Sequence, residues 1–249
     1  MYNPFSLEGK TILITGASSG IGRATAIECS KLGAKVVITA RNQERLRETL
    51  SMMEGEDHSM LLCDMSDTVQ IEDLVKALPE IHGLVNNAGF SRMKPVSFIG
   101  ANDLKDVFAV NTIAPIMILK LLLKKKKIKA GASVVFTSSI AGLGKTAVGT
   151  SIYTCSKGAI SAFVANAALE LAQKQIRVNA VCPGMVKTSL IEGNGVITSE
   201  DIEKDKMNYP LGRYGKPEDV AWAMVYLLSD ASAWVTGTNM VVDGGYTVR

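Results

Sequence analysis

The sequence predicts an α/β fold, a doubly wound parallel sheet of about seven strands flanked by helices on both faces. Three observations carry this prediction. Short β-rich runs alternate with longer helical segments along all 249 residues. Several of those runs are apolar at consecutive rather than alternate positions. No repeat or Pro/Ser-rich linker breaks the alternation, so one domain spanning 1–249 is expected. A strand covered on both faces reads as a continuous apolar run, and βαβα order implies right-handed crossovers into a parallel sheet.

The first strand is expected at Thr11-Ile-Leu-Ile-Thr15, followed by a helix over 20–32. Lys35-Val-Val-Ile-Thr39 makes the second strand, with a helix over 42–53. Runs at 59–63, 84–86, 133–137, 177–181 and 240–242 supply five more strands. Helical patterns over 68–78, 102–127, 151–173 and 217–228 fill the intervals. The polar stretch 192–212, with Gly193 and Gly195, follows the sixth strand. Open α/β sheets bind ligands beyond the carboxyl ends of their strands, so the segment 188–212 is expected to serve as a substrate loop or mobile lid.

Composition excludes several classes. A 47% hydrophobic share can fill a sizeable core, and a net charge of +3 from 27 basic and 24 acidic residues gives no bulk case for nucleic acid. Four cysteines are too few for a disulfide scaffold, and no Cys/His cluster has metal-ligand spacing. The longest apolar stretch, near 113–123, contains Pro115 and Lys120 and is short for a bilayer span. Residues 1–9 lack the basic and apolar regions of a signal peptide. The expectation is a cytoplasmic protein with no membrane, nucleic-acid or metal partner.

After the first strand comes Thr15-Gly16-Ala17-Ser18-Ser19-Gly20-Ile21-Gly22, opening a helix. Gly16 permits the tight turn, Gly20 lets a pyrophosphate approach the backbone, and Gly22 allows close helix-on-strand packing. The helix N-terminus offers free N–H donors and a positive dipole end to phosphate. Strand before and helix after make this the dinucleotide-binding fingerprint of a Rossmann fold. Gly16-Ala-Ser18-Ser-Gly20 also matches a nucleophile elbow, but that device needs a histidine late in the chain. The only histidines are His58 and His82, so the hydrolase reading fails. Gly144-Lys145-Thr146 looks like the end of a P-loop, yet Ser139 stands in place of its first glycine.

Thr15–Gly22 reads T-G-x-x-x-G-x-G, Asn86-Asn87-Ala88-Gly89 reads N-N-A-G, and Tyr153-Thr-Cys-Ser-Lys157 reads Y-x-x-x-K. Pro183-Gly184 with Thr188, and Val242-Asp243-Gly244-Gly245, follow. With these motifs in this order the chain resembles the short-chain dehydrogenase/reductase family, single-domain type. The chemistry agrees with the residues. Tyr153 and Lys157, at i and i+4, share a helix face, and a nearby ammonium favours an ionised phenol, bringing it toward general acid/base use. Ser139, ending the fifth strand, can hydrogen-bond a substrate oxygen; Ser138 is its rival, since strand residues alternate in direction.

The resemblance implies that Tyr153 donates and accepts the proton, Ser139 orients the carbonyl, and Lys157 holds the nicotinamide ribose and lowers the tyrosine pKa. It implies that Asn111 positions a water linking lysine to solvent. Cofactor contacts are expected at Gly16, Ser18, Ser19, Gly20, Ile21, Gly22, Asp64, Met65, Asn87, Ala88, Gly89, Pro183, Gly184, Val186 and Thr188. NAD sites commonly place a carboxylate after the second strand, whereas here Ala40 is followed by Arg41, which can pair with a 2′-phosphate. That favours NADP(H) over NAD(H). Asp64 is either an adenine contact or a strand-end cap for the next helix. The intact Ser139, Tyr153 and Lys157 set argues against a non-catalytic dinucleotide-binding protein.

Lysines at 124–127, 129 and 174 end two helices. In 3-oxoacyl-acyl-carrier-protein reductases, basic residues near these ends receive the acidic carrier, which makes 3-oxoacyl-thioester reduction the first specific expectation. Cations there also simply complement helix dipoles. Another ketone, a sugar or a steroid alcohol remains open. The family pairs the helices beginning near Asn102 and Ser151 across a dimer face, so a homodimer or homotetramer is expected.

Overall fold

Strands form at β1 Thr11–Thr15, β2 Lys35–Ala40, β3 Ser59–Leu62, β4 Ile81–Asn86, β5 Ile128–Thr137, β6 Arg177–Pro183 and β7 Asn239–Val242. The computed structural model, which describes residues 2–188 and 199–249, places them in one parallel sheet of order β3-β2-β1-β4-β5-β6-β7. The chain leaves β1 toward β2 on one side and returns to place β4 on the other. The crevice at a ligand-binding switch point therefore opens beyond the carboxyl ends of β1 and β4.

Helices are α1 Gly20–Lys31, α2 Gln43–Ser51, α3 Thr68–Ala77, α4 Ala101–Phe108, α5 Ala114–Lys124, α6 Ser151–Leu171, α7 Ser199–Lys206 and α8 Pro217–Leu228. Local chemistry sets several boundaries. Asn42 accepts the Arg45 N–H at 2.9 Å to start α2, Asp67 caps α3 through Val69 and Gln70, and Pro217 opens α8. Alternate strand residues feed two cores. Leu13, Leu84, Val134 and Val178 pack with Ile118, Leu122, Ile160 and Val164 of α5 and α6. Ile12, Ile14, Val85, Val135 and Val181 pack on the other face with Ala26 and Cys29 of α1 and Val220, Met224 and Leu227 of α8. Each fully buried Leu or Ile contributes about 1.5–3 kcal/mol, so both faces of the sheet hold it rigid.

Three expectations change. The single helix over 102–127 is two helices joined by a π-helical turn, Ala109–Ile113. Pro115 follows it and has no N–H to return to the carbonyl of residue 111, which accounts for the widened turn. The second helix stops at Lys124, closed by the Lys127 N–H on the Leu122 carbonyl at 2.8 Å. Strands β4 and β5 both begin earlier than their apolar runs, because Ile81 pairs with Ile128 ahead of a register shift at Gly83. Helical turns run continuously over Ala101–Lys124, long and apolar enough by composition to cross a membrane. In this fold Ile118, Leu119 and Leu122 are instead buried against the sheet.

Candidate active site

The glycine turn lies at the carboxyl end of β1, against the segment that follows β4. Gly16 has φ 66°, and a Cβ there would sit 2.7 Å from the Ala88 Cα, so glycine alone fits. Thr15 ties the two strand ends together: its Oγ1 accepts the N–H groups of Asn87 and Ala88, both at 3.0 Å. Ser19 is the extended N-cap of α1 and makes no side-chain cap bond, leaving that helix end open to an anion. Arg23 holds the turn from behind, donating to the Ser18 carbonyl at 2.7 Å and to Glu48 at 2.9 Å. Thr188 approaches Gly20, where a Cβ would meet its Cγ2 at 3.0 Å. These features fit a dinucleotide pyrophosphate.

At the end of β5 the two serines diverge. Ser138 Oγ donates to the Lys157 carbonyl at 3.0 Å and shares a 2.7 Å bond with Ser161, so it is spent on α6. Ser139 faces the other way, capping the Ala141 N–H at 3.2 Å, and its hydroxyl lies against the Tyr153 phenol. Lys157 is only 4% exposed and donates from Nζ to the Thr137 carbonyl at 2.7 Å. Its Nζ stands 5.8 Å from the Tyr153 ring centroid. The structure thus brings Ser139, Tyr153 and Lys157 to one place.

The electrostatics differ from the expected lysine-on-tyrosine effect. Burial pushes the Tyr153 phenol above its ordinary value, only partly offset by the Ser139 hydrogen bond. Burial also pushes the Lys157 ammonium down to about 8. At Tyr153, desolvation is the largest influence and the net shift is upward.

Asn111 sits in the π-helical turn, buried, and brackets Phe90: its Oδ1 accepts the Phe90 N–H at 3.0 Å and its Nδ2 donates to the Phe90 carbonyl at 2.9 Å. A second donation reaches Ser156 Oγ at 3.1 Å. It also stands close to the lysine, since a Cβ at Gly89 would meet Asn111 Oδ1 at 3.1 Å and Lys157 Nζ at 3.3 Å. The Asn87 side chain is consumed by the Thr15 and Gly16 carbonyls and by Thr137, and its backbone N–H by Thr15 Oγ1. The Met65 side chain is buried in the core. Pro183 ends β6, Gly184 packs at the Asp243 turn, and Val186 is buried beside Gly215.

Arg41 is 77% exposed beyond β2, its guanidinium 3.8 Å from Asp64. Asp64 does not cap α3, a role taken by Asp67. Burial alone would raise its carboxyl, but the Ser66 N–H and hydroxyl, both at 2.8 Å, and Arg41 hold it below the ordinary range. The histidines lie at the opposite strand ends: His82 accepts the Thr11 N–H at 3.0 Å and His58 that of Val36 at 3.2 Å. Neither is near Ser18.

Part of the expected lid, 189–198, lies outside the described residues. Residues 205–211 are anchored. Tyr209 Oη accepts the Met185 N–H at 3.2 Å, the Leu211 N–H reaches the Gly244 carbonyl at 3.2 Å, and Tyr214 donates to Asp205 at 2.6 Å. Sequence reasoning missed Thr15, Arg23 and Ser156. Their roles depend on partners distant in sequence, although Thr15 ending a strand before Gly16 was a usable signal.

Known proteins resemble this chain along nearly its whole length. A family described as enoyl-(acyl carrier protein) reductase matches residues 16–247. A tropinone reductase homolog of Arabidopsis thaliana is 36% identical over 252 residues, 98% of this chain and 95% of the relative. The NADP-dependent (R)-specific alcohol dehydrogenase of Lentilactobacillus kefiri is 35% identical over 252 residues, 98% of both chains. A crystal structure from Agrobacterium tumefaciens, described as a 2-deoxy-D-gluconate 3-dehydrogenase with bound NADP, superposes with TM-score 0.89 at 32% identity over all of both chains.

Proposed function

Because the chain belongs to the short-chain dehydrogenase/reductase family of oxidoreductases, we propose that it interconverts a carbonyl and a secondary alcohol using NADP(H), with Tyr153 as general acid/base. The observation that carries the reading is the convergence of Ser139, Tyr153 and buried Lys157 beyond the glycine turn. The nicotinamide, when bound, supplies or takes the hydride. Ser139 and Tyr153 hydroxyls together hold the carbonyl oxygen, and Tyr153 gives that oxygen its proton as the alcohol forms. Its raised pKa keeps the phenol protonated and ready as the acid at neutral pH. The Lys157 charge then favours the phenolate left behind, through a contact that strengthens as negative charge develops. Asn111 fixes the Phe90 backbone next to Gly89, and Thr15 holds the Asn87 and Ala88 N–H groups.

Support for NADP(H) comes from Arg41, exposed where an NAD site would carry a carboxylate, and from the NADP named with two of the similar proteins. The first reading of the substrate is a small free ketone, supported by the names of the reductase and alcohol dehydrogenase relatives. A second reading, a 3-oxoacyl group on acyl carrier protein, draws support from the description of the matching family and from a cleft of about 180 Å³ containing Lys126 and Lys174. That cleft lies at the start of β5, whose ten residues span about 33 Å before Ser139. The two readings are separated by thermal-shift titration with NADPH and NADH, then a panel of ketones and 3-oxoacyl thioesters. NADPH should stabilise more than NADH, and at least one ketone should be reduced. Stronger stabilisation by NADH would overturn the cofactor assignment.

A further inference from the structure

The segment 183–188 links the two ends of the candidate cofactor site. It begins at the carboxyl end of β6, the sheet neighbour of β5, and so starts near Ser139. It ends at the glycine turn, where Thr188 meets Gly20. Arg41 lies beyond β2, on the other side of that turn. A dinucleotide with its 2′-phosphate at Arg41 and its pyrophosphate on the turn therefore runs its nicotinamide half toward Tyr153, alongside 183–188.

Two kinds of contact fix this segment. Val186 forms a short parallel bridge with Gly215: the Gly215 N–H donates to the Met185 carbonyl and the Lys187 N–H to the Gly215 carbonyl, both at 2.9 Å. The central residue of such a bridge turns its own N–H and carbonyl away from the partner, so those of Val186 are not spent on Gly215. The Met185 N–H is taken by the Tyr209 hydroxyl at 3.2 Å. Tyr209 is itself a rigid post, only 5% exposed. Its ring stands edge-on to Tyr214 with centroids 5.3 Å apart, and 4.9 Å from the ring of Tyr246. Gly184 has no space for a side chain beside it, since a Cβ would meet Asp243 Cβ at 3.0 Å and Tyr209 Cε1 at 3.4 Å. Asp243 in turn accepts the Gly245 and Thr247 N–H groups at 2.9 and 2.8 Å, and Gly245 packs on Pro210. The Val242–Gly245 motif thus serves to seat Tyr209 and its neighbour.

We propose that Tyr209 is a positioning residue for the nicotinamide half of the cofactor, acting through the Met185 N–H to hold the 185–188 segment where that half rests. The inference rests on the NADP(H) oxidoreductase reading. Tyr209 needs no contact with cofactor or substrate for this role. Burial pushes its phenol up to about 12, so the hydroxyl stays neutral and the bond persists across the neutral range.

The test removes the hydroxyl and keeps the ring, in Tyr209→Phe. Tyr214→Phe is the control: it makes the same change in the same aromatic cluster, cutting a bond to Asp205 rather than to Met185. Dissociation constants are measured by calorimetry for NADPH and for adenosine 2′,5′-bisphosphate, which carries the adenosine half alone. A segment less often in its binding position weakens apparent affinity by the fraction lost. Tyr209→Phe should therefore raise the NADPH constant about three- to tenfold and leave the bisphosphate constant within about twofold. Tyr214→Phe should leave both within about twofold. An unchanged NADPH constant in Tyr209→Phe, equal losses for both ligands, or an equal NADPH loss in Tyr214→Phe overturns the proposal. A measurement on wild type alone needs no variant to fold. Amide exchange at Met185 should slow several-fold on NADPH and less than about twofold on the bisphosphate; equal slowing by both also overturns it. A wild type that binds NADPH but reduces no ketone counts against the functional reading, and the two affinities still decide the role of Tyr209.

Discussion

Replacing Arg41 by Ala should convert the cofactor preference with almost no cost to the fold. The side chain is 77% exposed, and its guanidinium makes only a long ion pair, 3.8 Å, with the half-buried Asp64 carboxylate. Its loss leaves no buried group unpaired. A 2′-phosphate facing it carries close to two negative charges. Two unit charges about 4 Å apart attract by ~1 kcal/mol in bulk water and ~4 kcal/mol at an effective dielectric constant near 20. High exposure places Arg41 toward the lower limit, and the doubled phosphate charge lifts the contact to about 1.5–3 kcal/mol. That corresponds to an increase of about 10- to 150-fold in the NADPH dissociation constant. NADH lacks the phosphate and should change by less than about twofold. The assay is kcat/KM with each cofactor, backed by calorimetric dissociation constants at two ionic strengths, since salt screens an exposed contact. An unchanged NADPH/NADH ratio, or equal losses for both, would refute the argument.

Two other perturbations separate structure from chemistry. Ser138→Ala should lower stability by about 1–3 kcal/mol, because it deprives buried Ser161 of a partner, yet keep kcat within about threefold. Ser139→Ala should leave the melting temperature nearly unchanged and lower kcat about 10²- to 10³-fold; thermal melts with steady-state kinetics read both. Burial brings the Lys157 ammonium down from its ordinary 10.5 to about 8. Between those values the unfolded chain binds a proton that the folded chain has released. The stability contribution of Lys157 therefore rises with pH across that window, and below it the buried ammonium costs up to ~3 kcal/mol. In urea denaturation without cofactor, the stability of Lys157→Met minus that of wild type should fall by up to that amount between pH 7 and pH 10.5. A pH-independent difference would show that the ammonium is not desolvated.

Much of this was legible in the chain because it is local. The strand–glycine–helix order at Thr15–Gly22 and the i, i+4 spacing of Tyr153 and Lys157 are written within a few residues. Consecutive apolar residues identified the strands covered on both faces, whereas the polar start Lys129-Ala-Gly131 hid the first half of β5. The choice between Ser138 and Ser139 could not be made from alternation alone; it depended on Ser161, 23 residues from Ser138. The π-helical turn at Asn111 and the Lys94–Asp103 ion pair were likewise invisible, since each is defined by partners on other elements. The direction of the shift at Tyr153 was hidden for a related reason. Spacing brings lysine and tyrosine together, but the degree of burial, which decides the sign of the shift, is set by the whole fold.

The central claim is that the Tyr153 hydroxyl moves the proton. Single-turnover reduction of a ketone by wild type and Tyr153→Phe, with the NADPH dissociation constant measured on the same samples, tests it most directly. The account predicts a rate lowered about 10²- to 10⁴-fold, with NADPH affinity kept within about twofold. A Tyr153→Phe variant that reduces the ketone at the wild-type rate would contradict it.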